Sequence, residues 1–473
     1  MNSGKLNPHS HDSNTDEHGF RRAFDLFHDA ARRVPAYADF LKKQGVDPKK
    51  IRDRADFAHV PLTNKQYFSD YSLKELNWDG LLDNTLYIST SSGSTGVPFF
   101  WPRGVAQDVA AGSIFRHIYE DIFESKKGST LIINSFALGT WIAGFEFFNA
   151  AKLTADHGNN IVISTPGIDK NEAINQFRKL APLFDRIVLE GYPPFIKDII
   201  DEGHSAGIVW SDHDVRIITG GEAVSPVWRE KVLKMIGKEG SIDSFVNVYG
   251  MAETGIVGHD TPLSTRMRKN IAKIPEVKIP ADSEIVGLYQ YYPELRYFES
   301  LPDSSLVLTS NAGLPLVRYD TRDTGGLLEY CVATDHGIDD THWQLPFVYL
   351  YGRKDLSISF YALLIYVENV KRALENSSFT DELSGLFRMG ISHTEKLDQQ
   401  FDITIELARA VESSKQMSQK LTDEIVATLR KVNSEYAKLL HSIGDRALPV
   451  VQLVPFGHIE TIPGRKHKWV KRA

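Results

Sequence analysis

Residues 87–98 combine two glycines with a run of small hydroxyl-bearing side chains and read YISTSSGSTGVP. Backbone N–H groups and Ser or Thr hydroxyls in such a run can converge on phosphate oxygens, because glycine places no Cβ in the way. The run lacks the lysine of the P-loop pattern, so it does not predict a Walker-type nucleoside triphosphatase. By itself the pattern is compatible with a phosphate-binding loop and with an ordinary turn.

Four further motifs with chemically useful side chains follow this run along the chain. They are Thr219-Gly220-Gly221-Glu222, Tyr249-Gly250-Met251-Ala252-Glu253, Arg318-Tyr319-Asp320-Thr321-Arg322-Asp323 and Gly352-Arg353-Lys354-Asp355. A planar aromatic side chain can stack on a purine, and a carboxylate can accept two hydrogen bonds or ligate a hard cation. Each motif is short, so the specificity of the pattern comes from the order and spacing of all five.

The series resembles the adenylate-forming superfamily, whose members activate a carboxylate as its acyl-AMP. The stretches VPAY at 34–37 and VPLTNK at 60–65 are similar to the opening of the phenylacetate-coenzyme A ligase branch. The resemblance extends from about residue 20 to the C-terminus. It implies a ligase that uses ATP and Mg²⁺ and passes the acyl group to coenzyme A.

The resemblance implies a role for each motif in the nucleotide site. The loop would hold the β- and γ-phosphates of ATP through Ser91, Ser92, Gly93, Ser94, Thr95 and Gly96. Tyr249 would lie against the adenine, Asp323 would accept hydrogen bonds from the ribose hydroxyls, and Glu253 would ligate Mg²⁺. The remaining nucleotide-binding residues would be Gly221, Glu222 and Gly250. Asp320 is close enough in sequence to be a rival of Asp323.

The resemblance also implies a hinge and a mobile catalytic lysine. Arg353 would contact the nucleotide, and Asp355 would absorb the rotation of a small C-terminal domain. The last residues read PGRKHKWVKRA, and a lysine there would neutralise charge as the substrate carboxylate approaches the α-phosphate. Lys466 aligns with that lysine, and Lys468 is the alternative.

Positions after the hinge depart from the family pattern. Leu356, Ala362 and Lys371 stand where the family has Asp, Gly and Glu. If position 362 adopts a positive φ, alanine there is strained by roughly 1 kcal/mol. This loop lines the acceptor route in relatives that use coenzyme A. The acceptor therefore stays open between coenzyme A and another nucleophile, such as an amine, a hydroxyl or a protein thiol.

Aromatic residues between the second and fourth predicted βα units suggest the acyl pocket. The residues chosen as its lining are Phe136, Trp141, Phe145 and Tyr192. Such a lining suits an aromatic or otherwise apolar carboxylate as the small-molecule substrate. Aromatic residues at helical spacing are also typical of a hydrophobic core, so both interpretations stay open.

Alternating strands and helices are expected to position these motifs. Apolar β-rich runs lie at 131–133, 161–163, 187–189, 215–218 and 245–248, and helical patterns between them lie at 172–184, 195–205 and 226–236. This alternation predicts a mostly parallel sheet covered on both faces. Ligands of such sheets bind beyond the carboxyl ends of the strands, where the motifs of Gly221 and Tyr249 fall.

The chain divides into three regions on this basis. Residues 1–18 are polar and predict a disordered tail, 19–352 predict the large AMP-binding domain, and 353–473 predict a small mobile lid. An amphipathic helix is expected from Phe20, ending near Pro35. In the last region we expect strands at 401–407 and 450–455 and one long helix at 417–440. The fold class is thus α/β, with a large N-terminal domain of mostly parallel sheets flanked by helices and a small α+β C-terminal domain.

Composition limits the classes of function that fit. The 473 residues include 42% hydrophobic and 24% charged residues, which is average for a globular protein. A net charge of -7 gives no general attraction for nucleic acid or an anionic membrane, so we expect neither as a partner. The single Cys331 permits no intrachain disulfide, which is typical of a reducing, cytoplasmic compartment. No apolar run is long enough to span a bilayer.

Three further interpretations stay open at this stage. A non-catalytic nucleotide-binding protein acting as a sensor or scaffold would show many of the same motifs. His9, His11 and His18 in the tail allow a metal site, although three histidines on such a polar segment are far more often solvated. A homodimer is compatible with a chain of this size.

Overall fold

The computed structural model describes residues 15–90, 99–139, 142–279, 287–338, 342–353, 357–459 and 470–471. Contacts divide the chain into two units, with a boundary between residues 354 and 355. The larger unit contains the helices and strands up to residue 353, and the smaller unit contains those from residue 357 onward.

The α-helices are α1 (Thr15–Arg33), α2 (Pro35–Lys43), α3 (Arg54–Phe57), α4 (Lys65–Ser69), α5 (Val105–His117), α6 (Ile142–Asp156), α7 (Lys170–Leu180), α8 (Pro193–Ser205), α9 (Pro226–Met235), α10 (Pro262–Lys269), α11 (Tyr330–Asp335), α12 (Val367–Glu375), α13 (Lys415–Val432) and α14 (Ser434–Ile443). The strands of the larger unit are β1 (Tyr87–Thr90), β2 (Phe100–Arg103), β3 (Thr130–Asn134), β4 (Ile161–Ser164), β5 (Arg186–Gly191), β6 (Val215–Gly220), β7 (Phe245–Met251), β8 (Gly255–His259), β9 (Gly287–Tyr291), β10 (Tyr297–Ser300), β11 (Ser305–Ala312), β12 (Leu314–Leu328) and β13 (Phe347–Arg353). Those of the smaller unit are β14 (Ser357–Phe360), β15 (Leu363–Tyr366), β16 (Leu383–His393), β17 (Gln399–Leu407), β18 (Val450–Val454) and β19 (Val470–Lys471).

Eleven strands of the described chain form one sheet in the larger unit, in the order β10-β11-β12-β13-β9-β8-β7-β6-β5-β3-β4. The half from β4 to β7 is parallel and contains the five strands that the apolar runs predict. The helix α9 begins after Ser225, whose hydroxyl accepts a hydrogen bond from the Trp228 N–H and so caps the helix. β3 and β5 are buried along their whole length, which explains their continuous apolar sequences, whereas β4 at the edge of the sheet is partly exposed.

Parallel pairing stops at β7, and every pairing from β7 to β10 is antiparallel. The irregular sequence of residues 260–350, with its Pro, Asp and aromatic residues, gave no periodic signal for this half. β1 and β2 form a separate two-stranded sheet, so the hairpin around the hydroxyl-rich run lies outside the main sheet.

The first helix corrects the predicted tail, because α1 begins at Thr15 and not after residue 18. Asp16 and Glu17 in its first turn interact favourably with the helix dipole. Arg54 lies 2.6 Å from Asp16 and 3.2 Å from Glu17, which holds this turn against the rest of the unit. The helix ends at Arg33, before Pro35, as predicted.

The smaller unit has a sheet in the order β18-β17-β16-β19, packed with α12, α13 and α14. The single helix predicted for 417–440 is wrong, because Asn433 divides it into α13 and α14. The Asn433 Oδ1 atom accepts a hydrogen bond from the Tyr436 N–H, and its Nδ2 donates to the Leu364 carbonyl. A fully buried asparagine that makes these bonds ends one helix and caps the next.

A strained turn joins β14 to β15. Phe360 pairs with Leu363, so Tyr361 and Ala362 alone form the connection, and both have positive φ, at 47° and 65°. Two-residue hairpin turns of this kind favour Asn and Gly, because a Cβ is strained in the left-handed region. Position 362 therefore has the backbone of a glycine and the side chain of an alanine.

None of the helices in the described part of the chain is both long enough and apolar enough to cross a membrane.

A buried carboxylic acid lies near the carboxyl end of β5. Glu190 is 0% exposed, and the Tyr119 hydroxyl donates a hydrogen bond to its Oε1 atom. The Oε2 atom has no hydrogen-bond partner among the described residues. Burial raises the pKa of Glu190 to about 8, so the acid is mostly neutral at pH 7.

We predict that Glu190 makes stability depend on pH. Its pKa is about 8 in the folded protein and has the ordinary value of 4.5 in the unfolded chain. Between pH 5 and 8 the unfolded chain therefore binds fewer protons than the folded protein. The free energy of unfolding should therefore fall as pH rises through this window, by up to about 1.4 kcal/mol per pH unit. Denaturant unfolding of Glu190→Gln across this range should lack that slope. Glu239→Gln, at an exposed position, should keep it. Equal slopes for wild type and Glu190→Gln would contradict the assignment.

Candidate functional site

Tyr249 and Arg353, from two other motifs, both contact the carboxylate of Asp323. The Tyr249 hydroxyl donates to Oδ2 at 2.6 Å, and the Arg353 Nη1 atom donates to Oδ1 at 2.8 Å. Arg353 lies directly opposite Asp323 in the pairing of β12 with β13. Burial, together with the negative charge of Asp323, raises the pKa of Tyr249 well above its ordinary value. The tyrosine therefore stays a hydrogen-bond donor at neutral pH.

The contact between Tyr249 and Asp323 requires a strongly curled sheet. Their strands, β7 and β12, are separated by β8, β9 and β13. Neighbouring strands lie about 4.8 Å apart, so four steps across a flat sheet would separate them by roughly 19 Å. Since the two side-chain oxygens are 2.6 Å apart, the antiparallel half must curl back towards the end of β7.

The backbone of β12 is irregular on both sides of the segment that carries Tyr319. Arg318 and Arg322 have φ of 44° and 66°, and the pairing with β11 shifts register next to them. Such φ values are uncommon for residues other than glycine and are typical of functional or tightly constrained positions. The two candidate aspartates in this irregular segment have different environments. Asp323 is buried, whereas Asp320 is half-buried and accepts a hydrogen bond from the Arg322 N–H.

The VPLTNK stretch supports this part of β12. The Thr63 N–H donates to the Arg318 carbonyl at 3.1 Å, and the Asp320 N–H donates to the Thr63 carbonyl at 2.9 Å. The Thr63 hydroxyl also donates to the Val317 carbonyl. The stretch therefore acts on the site through the backbone of β12.

Glu253 lies in the short loop between β7 and β8 and is 6% exposed. The Tyr319 hydroxyl donates to its Oε1 atom at 3.0 Å, and burial next to this carboxylate raises the pKa of Tyr319 well above its ordinary value. Tyr319 comes from the same motif as Asp323, so β12 contributes to both carboxylates of the site. Sequence reasoning did not select Tyr319.

Asn247 is a second residue that the sequence did not reveal. Its Nδ2 atom donates to the Thr219 hydroxyl at 2.9 Å and to the Glu222 carbonyl at 3.0 Å, and its Oδ1 accepts from the Tyr289 hydroxyl at 2.8 Å. It thereby holds the loop at the end of β6, in which Gly221 has φ of 93°. The one sign of it in the sequence was a polar amide side chain inside the apolar run at 245–248.

The aromatic residues chosen for the acyl pocket have different environments. Phe136 is fully buried and packs edge-on against Tyr192, with ring centroids 5.2 Å apart. Tyr192 is half-buried, and Phe145 is 37% exposed, with its ring 4.6 Å from that of Tyr87. Phe136 therefore contributes to the core, while Tyr192 and Phe145 retain surface that a ligand can contact.

Several predicted site residues lie outside the described part of the chain. They are the phosphate loop from Ser91 to Gly96, Trp141, Asp355, Lys466 and Lys468. Gly250 is the remaining predicted residue, and it lies in β7 directly after Tyr249.

The carboxylate of Glu253 is the candidate ligand for Mg²⁺. Within the described ranges no group of three or more His, Cys, Asp and Glu side chains could hold a metal ion. Mg²⁺ usually takes one or two protein carboxylates and completes its shell with water and phosphate oxygens. A single buried carboxylate, with one hydrogen bond from Tyr319, fits that requirement better than a dedicated metal centre.

Comparison with known proteins confirms the fold class. No protein-family model matches the sequence, and no curated protein matches it. Among solved structures, 2-hydroxyisobutyryl-CoA ligase with 2-HIB-AMP and CoA in its thioesterification state has a TM-score of 0.65 at 13% identity, over 97% of this chain and 90% of that chain. Its open conformation with the same ligands has a TM-score of 0.54, at 13% identity, over 97% and 91% of the two chains. Its postadenylation state with R3-HIB-AMP has a TM-score of 0.53, at 13% identity, over 97% and 89%. At this identity the similarity establishes the fold alone.

Proposed function

We propose that this protein is an ATP-dependent ligase that converts an apolar carboxylate into an acyl-adenylate. The observation that carries the proposal is the hydrogen-bonded set of Tyr249, Asp323 and Arg353. The three motifs indicate one nucleotide site. Tyr249 contacts Asp323 although three strands separate β7 from β12, and Arg353 faces Asp323 from the neighbouring strand β13. Chance would rarely bring all three together.

The shared fold supports the same reaction class. The similar ligase binds 2-HIB-AMP, which is an acyl-adenylate, together with CoA. In the proposed reaction a carboxylate oxygen of the substrate attacks the α-phosphorus of ATP. A new P–O bond forms, the bond to the β-phosphate oxygen breaks, and pyrophosphate leaves.

We assign each residue of the candidate nucleotide site a role in this reaction. Asp323 would accept hydrogen bonds from the ribose hydroxyls, and its bonds to Tyr249 and Arg353 fix the orientation of its carboxylate. Tyr249 would contact the adenine. Its ring is stacked on that of Tyr289, with centroids 5.6 Å apart, which fixes its orientation. Gly221, Glu222 and Gly250 would complete the nucleotide site. Asn247 holds the backbone of that loop in place.

Glu253 would hold Mg²⁺, which neutralises phosphate charge when bound. Ser91 to Gly96 would bind the phosphates, and Lys466 would supply positive charge to the transition state. Asp355 would serve as the hinge residue. The aromatic residues Tyr192 and Phe145 favour an apolar or aromatic acid.

The acceptor in the second step is proposed to be coenzyme A, whose thiol would attack the acyl carbonyl and displace AMP. One observation favours another nucleophile. Ala362 occupies a backbone with φ of 65°, where glycine is unstrained, in the loop that lines the acceptor route in coenzyme A-using relatives. We therefore keep transfer to an amine, hydroxyl or protein thiol as the second candidate.

We predict that acid-dependent exchange of labelled pyrophosphate into ATP will occur with apolar carboxylic acids, and that Asp323→Asn will impair it. Replacing an ionised acceptor weakens hydrogen bonds to the ribose, so the KM for ATP should rise by roughly tenfold or more. Asp320→Asn is the matched control and should remain near the wild-type value. A larger effect of Asp320→Asn would exchange the two roles, and no exchange with any acid would refute the proposed function.

We predict that Lys466→Ala abolishes exchange while ATP binding persists, because the lysine is required for charge that develops in the transition state. Calorimetric titration with ATP measures the binding, and Lys468→Ala serves as the paired variant. Exchange at the wild-type rate in Lys466→Ala, with loss in Lys468→Ala, would assign the role to Lys468.

We predict that coenzyme A will be consumed at the rate of acid-dependent AMP formation if it is the acceptor. The free thiol of coenzyme A and the thioester product can both be quantified with a panel of apolar acids. Pyrophosphate release without any thioester, followed by product formation with added amines, would support the second candidate.

A further inference from the structure

Arg103 is an arginine at the end of β2 that is only 2% exposed and bonds three separate segments. Its guanidinium donates to the Ala252 carbonyl, to the Ala312 carbonyl at 2.8 Å and to the Ser89 hydroxyl at 3.4 Å. Removing a guanidinium from water is costly unless its hydrogen bonds are replaced. The bonds to Ala252, Ala312 and Ser89 replace them, and they fix the geometry of the segments that supply them.

The backbone around Glu253 is held by charged side chains on both sides. Arg103 binds the carbonyl of the preceding residue, Ala252. On the other side, Arg296 donates to the Ile256 carbonyl at 2.9 Å and to the Thr254 carbonyl at 3.3 Å.

A carboxylate completes this arrangement. The Glu146 Oε1 atom accepts a hydrogen bond from the Ile256 N–H at 3.2 Å. Gly255 has φ of 74°, and a Cβ there would lie 1.9 Å from Glu146 Oε1, so the carboxylate rests directly on the loop. Glu146 and Glu253 are both close enough to influence Arg103 electrostatically, and the buried charges therefore compensate one another.

Arg103 differs from Arg296 in what it connects. Arg296 precedes β10 and ties the loop to the antiparallel half of the sheet. Arg103 belongs to the β1–β2 hairpin, whose strands lead into and out of the hydroxyl-rich run, and Ser89 lies on the opposite strand. It therefore fixes the backbone of Glu253 relative to both strands of that hairpin.

We propose that Arg103 is a positioning residue that sets the metal-binding carboxylate Glu253 at a fixed place relative to the β1–β2 hairpin. The inference rests on the proposed function, because it takes Glu253 as the Mg²⁺ ligand and the hairpin as the support of the phosphate loop. In this proposal Arg103 acts through the backbone beside Glu253 and not by contact with substrate or metal. Lysine cannot replace it, since one ammonium group does not span the same three acceptors.

The test measures how strongly Mg²⁺ increases the affinity for α,β-methylene-ATP, which cannot release pyrophosphate. Calorimetric titrations with and without Mg²⁺ give this ratio independently of catalysis. In Arg103→Lys we expect the ratio to fall roughly 10–100-fold, the usual cost of disturbing the residues that orient a metal ligand. The affinity without Mg²⁺ should change by less than about twofold, because the contacts of Tyr249 and Asp323 are untouched.

Arg186→Lys is the matched control for the loss of a buried arginine. Arg186 is 8% exposed and bonds Asp214 and the Glu124 carbonyl at the amino end of β5, the edge of the sheet opposite to the site. We expect it to lower stability while the Mg²⁺ ratio stays at the wild-type value. Ser89→Ala removes one acceptor of Arg103 with little change in volume, and it should lower the ratio by a smaller factor.

The outcomes separate the two proposals. A wild-type ratio in folded Arg103→Lys overturns the positioning role, and so does a wild-type ratio in Ser89→Ala if Arg103→Lys fails to fold. Pyrophosphate exchange by the wild type would leave the proposed function intact in either case. If Mg²⁺ does not raise nucleotide affinity in the wild type, Glu253 is not the metal ligand, and both the metal assignment and the positioning role are refuted.

Discussion

The hydrogen bond that Asp323 accepts from Tyr249 joins two parts of the sheet that the strand order keeps apart, and the bond from Arg353 on the neighbouring strand orients the same carboxylate. A carboxylate with two donors can remain buried and oriented, whereas the same group without them would be costly to bury. The curl that closes this contact also brings Tyr319 to Glu253, because Tyr319 lies on β12 with Asp323 and Glu253 lies in the loop that follows β7. The adenine, ribose and metal positions proposed for ATP thus depend on one bend in the antiparallel half.

That bend departs from regular strand geometry, and the departures cluster at the site. Arg318 and Arg322 have positive φ, and Arg103 and Arg296 bury guanidinium groups among backbone carbonyls. Proteins often break local rules where function demands a particular placement of side chains. The parallel half shows few such irregularities and serves as the rigid frame on which the site is built.

The sequence predicted the parallel half because each of its strands is an apolar run, and helical patterns lie between most of them. It could not predict the antiparallel half, since short strands in an irregular sequence take their pairing from distant partners. The division of the C-terminal helix at Asn433 escaped notice because its cause is a tertiary bond to Leu364. The early start of α1 also escaped notice, and its first turn contacts Arg54 from a distant part of the chain.

Among the site residues, Tyr249, Glu253, Asp323 and Arg353 were accessible from motif order, because each motif is local. Arg103, Glu146 and Arg296 were not, because the backbone groups that they bond around Glu253 lie 40 to 149 residues away in the sequence. The strain at Ala362 could be predicted only in part. The sequence showed an alanine where the family pattern expects glycine, but the positive φ that makes alanine unfavourable there is seen only in the structure.

The β1–β2 hairpin has a consequence for the order in which the protein folds. An isolated two-stranded hairpin is marginally stable in water, and among the described residues these strands pair only with each other. The carbonyls that secure Arg103 lie 149 and 209 residues further along the chain. During synthesis the hairpin must wait for its supports until Ala312 has emerged, long after the five parallel strands are complete. A chain interrupted before that point would contain the parallel strands and a β1–β2 hairpin without the carbonyls that secure Arg103.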